Sequence, residues 1–137
     1  MNNHNSDELK YKKICYFTNW SQFRPGLARF EPENIDPFLC THIVYAFGYI
    51  DNQTFLLTSI EQNDEGKYRR KTIENIDIDC SSDFILELYR RVNDLKRVNP
   101  KLKTLLGVGG WNMKSFVFSQ MMHDHQRRQN FIFDSIK

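Results

Sequence analysis

The two tryptophans of the chain each stand beside an asparagine: Asn19 precedes Trp20, and Asn112 follows Trp111. A flat indole ring can stack on the apolar C–H face of a pyranose, while neighbouring polar side chains hydrogen-bond the hydroxyl groups of the sugar. Phe47 adds a third aromatic side chain in a similar setting, next to a glycine. These residue types favour carbohydrate binding. The alternative is that both indoles fill the core at the edge of a sheet.

A glycine cluster, residues 107–110 (GVGG), stands directly before the second tryptophan. Glycines after a strand can cradle a phosphate, but the dinucleotide fingerprint is G-x-G-x-x-G after a first strand. Here the sixth position is Asn112, the cluster follows a third strand, and the Walker lysine pattern is absent. We therefore interpret Gly109 and Gly110 as positions where the backbone passes close to a ligand or to a neighbouring strand.

Three apolar segments predict the strands that must position these residues: 13–17 (KICYF), 40–50 (CTHIVYAFGYI) and 103–108 (KTLLGV). The second is a near-continuous apolar run, which suits a strand buried on both faces of a parallel sheet. In parallel α/β folds the loops at the carboxyl ends of the strands carry the chemistry. Trp20 and Trp111 both follow such ends, so we expect them at the same end of the sheet with exposed ring surface.

Helices are predicted between and after the strands. A helix beginning at Ser82 or Asp83 has apolar residues at three- and four-residue steps and ends at Asn99-Pro100. Two shorter helices are predicted over residues 115–122 and 125–137, the second capped by Asp124. The alternation of strands and helices predicts an α/β fold with a parallel sheet.

Two segments fall outside this pattern. Residues 1–12 form a polar amino-terminal extension without the apolar segment of a secretory signal. Residues 51–80 are polar and without a clear period, and we interpret them as a loop insertion in which residues 54–60 are a candidate short strand. Asp77 and Asp79 lie in this insertion and are not interpreted as a catalytic pair.

Composition sets limits on the class of protein. The 137 residues carry a net charge of +2, with 40% hydrophobic and 26% charged residues, as in ordinary soluble globular domains. The near-balance of charge argues against a nucleic-acid partner, and no apolar run approaches the roughly 20 residues that a membrane span needs. A closed (β/α)8 barrel needs about 200 residues or more, so this chain alone is too short for one.

Cysteines and glycosylation acceptor patterns leave alternatives open. Cys15, Cys40 and Cys80 are too few for a disulfide scaffold, and their odd number leaves at least one free or paired outside the chain. Three buried thiols in a reducing compartment is the simplest interpretation. Two tripeptides, beginning at Asn19 and Asn52, match the N-glycosylation pattern. A glycan on the first would obstruct the predicted binding edge.

Three motifs occur in order: CYFTNWSQFRPG, CTHIVYAFG and LKTLLGVGGWN. Together they resemble the first three strands of the family 18 glycoside hydrolases, and within that family the animal chitinases and chitinase-like lectins. The resemblance spans roughly residues 11–137, with 51–80 fitting poorly. It implies that residues 13–137 are the amino-terminal part of a (β/α)8 barrel and supply about three of its eight βα units.

The resemblance also implies roles for individual residues. In the family, the cysteines at the positions of Cys15 and Cys40 form a disulfide, which implies an extracellular protein; Cys80 has no assigned counterpart. The residues that resemble sugar contacts lie at the strand ends. Tyr16 and Phe47 resemble floor residues under the sugar next to the cleaved bond, Trp20 and Trp111 stacking platforms, and Asn112 a polar contact. Gly109 and Gly110 belong to the family's Ser-x-Gly-Gly motif, in which Gly107 replaces the serine.

The catalytic motif of the family, Asp-x-x-Asp-x-Asp-x-Glu on the fourth strand, is absent from these 137 residues. No residue is therefore predicted to be catalytic. In the family the glutamate is the general acid, the N-acetyl group of the substrate is the nucleophile, and no metal or cofactor takes part. The resemblance implies a longer, monomeric protein that binds and hydrolyses chitin, to which this chain contributes part of the sugar-binding cleft.

Two alternatives remain. The first is a catalytically inactive, chitinase-like lectin, which only the acids of the fourth strand would distinguish from an enzyme. The second is a small self-contained α/β binding domain. It is disfavoured because three parallel strands would leave two long unpaired edges on strands that are apolar on both faces.

Overall fold

A computed structural model describes residues 11–61, residue 64 and residues 88–136. In this part of the chain it contains strands β1 (Ile14–Thr18), β2 (His42–Ile50), β3 (Leu57–Ser59) and β4 (Lys103–Val108). The α-helices are α1 (Leu88–Val98), α2 (Phe116–His123) and α3 (His125–Ser135). Three short 3-10 segments lie between β1 and β2: Asn19–Phe23, Gly26–Ala28 and Pro32–Asn34.

The central strand of the sheet is β2. It pairs in parallel with β1, where Ile14 lies opposite His42, and in parallel with β4, where Lys103 also lies opposite His42. The predicted parallel arrangement of the three main strands is therefore confirmed. The short β3 pairs antiparallel with the carboxyl end of β2. It is the candidate strand of the insertion, so this part of the sheet is mixed rather than purely parallel.

Strand register divides the sheet into two faces. Phe17, Tyr45 and Leu106 lie side by side on one face and pack against Leu88 and Val92 of α1 in a buried core. This is the helix-covered face that an α/β fold requires. A second apolar cluster joins Ile50 and Phe55, at the carboxyl end of β2, to α2 and α3.

The opposite face of the sheet is open. Tyr16, Val44 and Leu105 are register partners and share this face, because partners in a parallel sheet direct their side chains the same way. Tyr16 is 65% exposed and Leu105 is 49% exposed. We refer to Ile14, Tyr16, Val44 and Leu105 as the open face.

Cys15 and Cys40 form a disulfide that joins β1 to the entrance of β2. Their Cα atoms are 6.1 Å apart, within the range that a disulfide spans. The pairing that the family resemblance implied is confirmed, and the interpretation of three buried thiols is wrong. Cys80, Asp77 and Asp79 lie outside the described residues.

The helix boundaries follow the local sequence signals. Helix α1 ends at Val98, directly before the predicted stop at Asn99-Pro100, while its predicted start lies outside the described residues. Helix α3 begins at His125 because the Asp124 carboxylate accepts a hydrogen bond from the Arg127 backbone N–H at 2.9 Å. That bond holds the pKa of Asp124 below its usual range.

Candidate functional site

Both tryptophans lie at the carboxyl-terminal end of the sheet. Trp20 is in the 3-10 segment that directly follows β1, and Trp111 is in the turn that follows β4. Since both strands run parallel to β2, the two residues share one end of the sheet. Trp20 is 45% exposed and Trp111 is 93% exposed, so neither indole fills the core. Their predicted placement is confirmed, whereas their role as sugar contacts stays a prediction.

Trp20 stacks on Phe47, with ring centroids 6.2 Å apart and ring planes 29° apart. Gly110 lies against Phe47, because a Cβ atom built at Gly110 would come within 2.9 Å of Phe47 Cδ2. Gly110 also has φ +89°, a backbone conformation that side-chain-bearing residues rarely adopt. We call Trp20, Phe47 and Gly110 the aromatic platform.

Phe47 lies where the β2–β4 register is irregular. Ala46 pairs with Gly107 and Gly48 pairs with Val108, so Phe47 has no partner in β4. Such a bulge re-aims a side chain out of the regular alternation, and bulges often occur next to binding sites. The irregularity at the end of β2 thus accompanies the contact of Phe47 with Trp20 and Gly110.

The remaining predicted site residues surround the platform rather than join it. Tyr16 lies in the middle of β1 on the open face, and Asn112 is exposed after Trp111. Gly109 is buried, its N–H donates to the Gly48 carbonyl at 2.9 Å, and an added Cβ would meet Phe118 of α2 at 3.0 Å. Gly109 therefore lets α2 approach the end of β4.

Asn19 does not face a ligand, which corrects the expectation that this amide hydrogen-bonds sugar hydroxyls. It is 1% exposed, and its Nδ2 donates to both carboxylate oxygens of Asp64 at 3.2 and 3.4 Å. Ser21 is also buried, and its hydroxyl donates to the Phe30 carbonyl at 2.6 Å. These two polar residues anchor the segment that presents Trp20.

Asp64 is the functional residue that sequence reasoning missed. It is fully buried and accepts hydrogen bonds from Asn19, from the Tyr45 hydroxyl and from the Glu61 backbone N–H. Its own carbonyl accepts from the Tyr89 N–H of α1 at 3.2 Å. Burial, together with the Asp64 carboxylate, raises the pKa of Tyr45, so the phenol remains a hydrogen-bond donor. Asp64 thereby joins the 3-10 segment that carries Trp20 to β2 and α1.

The candidate site presents aromatic and polar side chains that can contact a ligand. Among the described residues, no group of three histidine, cysteine, aspartate or glutamate side chains could hold a metal ion. No described helix is long and apolar enough to cross a membrane. What the site offers is exposed aromatic surface on a backbone fixed by buried hydrogen bonds.

The chain is similar to known proteins over most of its length. The family model described as glycosyl hydrolases family 18 matches residues 12–137. Mouse chitotriosidase-1 is 40% identical over 121 residues, which cover 88% of this chain and 21% of that protein.

Solved structures show the same likeness. An immunomodulatory active chitinase from Trichuris suis aligns with a TM-score of 0.73 and 35% identity, over 93% of this chain and 29% of that one. Human YKL-39, a pseudo-chitinase with retained chitooligosaccharide binding properties, aligns with a TM-score of 0.66 and 36% identity, over 92% of this chain and 29% of that one. The chain thus spans about a fifth of the curated relative and under a third of the solved structures.

Proposed function

Because the chain belongs to the glycosyl hydrolases of family 18, we propose that its aromatic platform and Trp111 form part of a cleft for β-1,4-linked N-acetylglucosamine oligosaccharides. One observation carries the proposal: the stacked rings of Trp20 and Phe47 and the exposed ring of Trp111 lie at the same, carboxyl-terminal end of three parallel strands. Such rings suit the apolar faces of pyranoses. The chitooligosaccharide binding of human YKL-39 supports this class of ligand.

Individual roles follow from this placement. Trp20 and Trp111 act as stacking platforms for successive sugars, while Tyr16 and Phe47 form the floor of the cleft. Asn112 supplies a polar contact, and the exposed backbone at Gly110 leaves room for the ligand, while the buried Gly109 supports the turn from beneath. Gly107 takes the place of the serine found in the family motif, so one hydroxyl is missing from this row.

The chain acts as the amino-terminal part of a longer (β/α)8 barrel, in which residues 13–137 contribute about three βα units and 51–80 an insertion. The open face supports this, because further strands closing the barrel would cover Tyr16 and Leu105. The small share of each relative that the chain covers supports it as well. The disulfide fits an extracellular protein, and we propose that the longer protein is a monomer.

The longer protein hydrolyses chitin without a cofactor, with a catalytic acid that lies outside these 137 residues. A chitinase-like lectin is the second candidate, favoured by the likeness to the pseudo-chitinase YKL-39. In either case the present chain binds and does not cleave. Turnover of chitin oligomers by the purified chain would contradict the proposal that this chain binds chitin without cleaving it.

Tryptophan fluorescence tests the proposal directly, because Trp20 and Trp111 are the only two tryptophans in the sequence. Titration with a chitooligosaccharide should change the emission, whereas a cello-oligosaccharide, which lacks the N-acetyl groups, should change it less. Replacing either tryptophan with alanine should weaken binding about tenfold, which corresponds to roughly 1.4 kcal/mol. The stability of both variants should change little because the two rings are exposed.

Phe38→Ala is the matched control. Phe38 is exposed like the two tryptophans, but it precedes β2 and therefore lies at the opposite end of the sheet. This variant should bind like the unaltered chain. Equal loss of binding in all three variants, or loss of stability in step with loss of binding, would indicate that the tryptophans serve packing and would contradict the cleft.

A further inference from the structure

The two N-glycosylation patterns lie in opposite environments. In the first pattern, Asn19 is 1% exposed and its amide donates to Asp64. The hydroxyl of Ser21, the third residue of the pattern, is also buried and donates to the Phe30 carbonyl. A sugar attached to Asn19 Nδ2 would have to occupy the space of Asp64 and break the network beneath Trp20. The folded chain has no room for a glycan there.

The second pattern lies in the turn between β2 and β3. Asn52 is exposed, and the conformation of the turn is held by its neighbour rather than by Asn52. The Asp51 carboxylate accepts from the Gln53 N–H at 3.0 Å and from the Thr54 N–H and hydroxyl at 2.7 and 2.8 Å. The Asn52 amide is therefore not needed to hold the turn, so a glycan there displaces no contact that shapes it.

The turn that carries Asn52 lies beyond Phe47 along β2. Strand β2 continues from Phe47 to Ile50, three residues or roughly 10 Å, before the turn begins. A sugar on Asn52 would extend from the tip of the β2–β3 hairpin.

The disulfide between Cys15 and Cys40 points independently to the compartment in which such glycans are attached. Disulfides persist in the lumen of the secretory pathway and outside the cell, and N-linked glycosylation takes place on the same route. We propose that Asn52 carries an N-linked glycan and that Asn19 does not. The inference rests on the extracellular location given under the proposed function.

The reaction is a group transfer with a defined co-reactant. The Asn52 amide nitrogen attacks the anomeric carbon of a lipid-pyrophosphate-linked oligosaccharide. A nitrogen–carbon bond forms, the bond from carbon to pyrophosphate oxygen breaks, and the lipid pyrophosphate leaves while the amide loses one proton. Oxidation states do not change, and the enzyme that transfers the oligosaccharide belongs to the cell that synthesises the chain.

The test expresses the whole 137-residue chain behind a cleavable leader in secreting eukaryotic cells. All chain in which Cys15 and Cys40 are disulfide-bonded, whether secreted or retained, is collected, since the bond shows that it reached the lumen. A peptide amidase that removes N-linked glycans converts each occupied Asn to Asp. Peptide mapping distinguishes the two sites because Arg29 separates them. We expect conversion at Asn52 and none at Asn19.

Three variants complete the experiment. Asn52→Gln and Thr54→Ala should each abolish the glycan-dependent shift in gel mobility. Thr54→Ser should retain the shift, because serine keeps the hydroxyl at the third position of the pattern. An unmodified Asn52 in disulfide-bonded chain, or a modified Asn19 in soluble chain, would overturn the proposal. Binding of chitooligosaccharide is measured separately on Asn52→Gln and should be unchanged, so a failure of the glycan inference is distinct from a failure of the proposed function.

Discussion

The buried Asp64 shows how one side chain can fix a binding surface that it does not touch. It accepts from Asn19, the residue before Trp20, and from Tyr45 in the central strand. Among the described residues, no buried side-chain nitrogen or oxygen lacks a partner, so this network is fully satisfied. Removing one acceptor from such a network leaves several buried donors without partners, which is more costly than the loss of a single exposed bond.

Asp64→Ala should lower the free energy of unfolding by about 3 kcal/mol, because Asn19 and Tyr45 would both lose their buried acceptor. Asp64→Asn should cost less, since its amide oxygen can still accept one bond. Urea denaturation measures both. Asp94→Ala is the control: Asp94 pairs with Arg97 on the exposed surface of α1, and its loss should stay within about 0.5 kcal/mol. Similar losses at Asp64 and Asp94 would refute the network's role.

Alanine substitutions at Gly110 and Gly26 distinguish the cost of backbone strain from the cost of steric overlap. Both have positive φ, but a Cβ at Gly26 would meet no atom of the described residues within 4 Å, whereas a Cβ at Gly110 would overlap Phe47. Gly26→Ala should cost about 1 kcal/mol of stability from strain alone. Gly110→Ala should cost about 3 kcal/mol and also weaken oligosaccharide binding, because Phe47 must move away from Trp20. Equal binding by the two variants would show that Gly110 does not support the platform.

Exposed aromatic residues were predictable at this site, whereas the buried polar partner was not. Trp20 and Trp111 follow strands that are clear in the apolar pattern, so their shared end of the sheet follows from the parallel topology. Asp64 lies in a polar stretch without a period, and nothing in the local sequence distinguishes it from a solvated acid. Its partner Asn19 was misread for the same reason, since an asparagine beside a tryptophan suits a ligand contact and a buried anchor equally well.

Among the secondary-structure elements, α1 is joined to the chain between β1 and β2 by an ion-pair network. Arg91 of α1 donates to Glu31 at 2.6 Å and to both carboxylate oxygens of Glu33, and Arg29 also contacts Glu31. The hydrogen bonds from Arg91 hold the pKa values of both glutamates below their usual range. The network fastens the 3-10 segment Pro32–Asn34 to the helix that covers the core.

These lowered pKa values predict a pH dependence. A carboxylate whose pKa is lower in the folded than in the unfolded state stabilises the fold above the unfolded pKa, here about 4.5, and the stabilisation is lost as pH falls through the folded pKa. The difference in unfolding free energy between the unaltered chain and Arg91→Gln should therefore be largest near pH 7 and shrink below about pH 4.5. Urea denaturation across this pH range measures it.

Arg97→Gln supplies the control on the same helix. Arg97 is largely exposed and pairs with Asp94 three residues away, so its replacement should have a small effect at every pH. A constant difference between the unaltered chain and Arg91→Gln from pH 7 to pH 3 would contradict the role given to Glu31 and Glu33.

The elements themselves were largely predictable, because the apolar runs, the Asn99-Pro100 stop and the Asp124 cap are local signals. The antiparallel β3 was only a candidate. Its three residues are short, and its pairing with β2 depends on a turn held by the Asp51 carboxylate rather than on any hydrophobic period. The pairing of so short a strand depends on its packing context, which β-propensity alone does not predict.

For the molecule as a whole, the open face determines how the isolated chain behaves. Ile14, Tyr16 and Leu105 expose apolar surface on a sheet whose other face is covered by α1. Contiguous apolar surface of this kind drives association when nothing covers it. The remaining strands of a longer barrel would bury it. The isolated chain is therefore expected to fold only marginally and to associate with itself.

Leu105→Lys should reduce this association, because burying the lysine ammonium group against a second apolar surface would cost its desolvation free energy. Sedimentation velocity at several protein concentrations measures the change. Leu27→Lys is the matched control: Leu27 is fully exposed in the 3-10 segment Gly26–Ala28, away from the sheet, and its replacement should leave the association unchanged. A soluble monomer with a sharp, cooperative melt would show instead that the sheet is stable without further strands.

The sequence separations of the strand pairs have a consequence for synthesis on the ribosome. The partners of β1 and β2 lie 28 residues apart, bridged by the disulfide, whereas those of β2 and β4 lie about 60 residues apart. At ordinary elongation rates the second interval takes roughly 3–12 s. The β1–β2 pair, closed by the disulfide, can thus form before β4 has been synthesised. The edge of β2 that later pairs with β4 is then exposed, and a nascent-chain chaperone would be needed there.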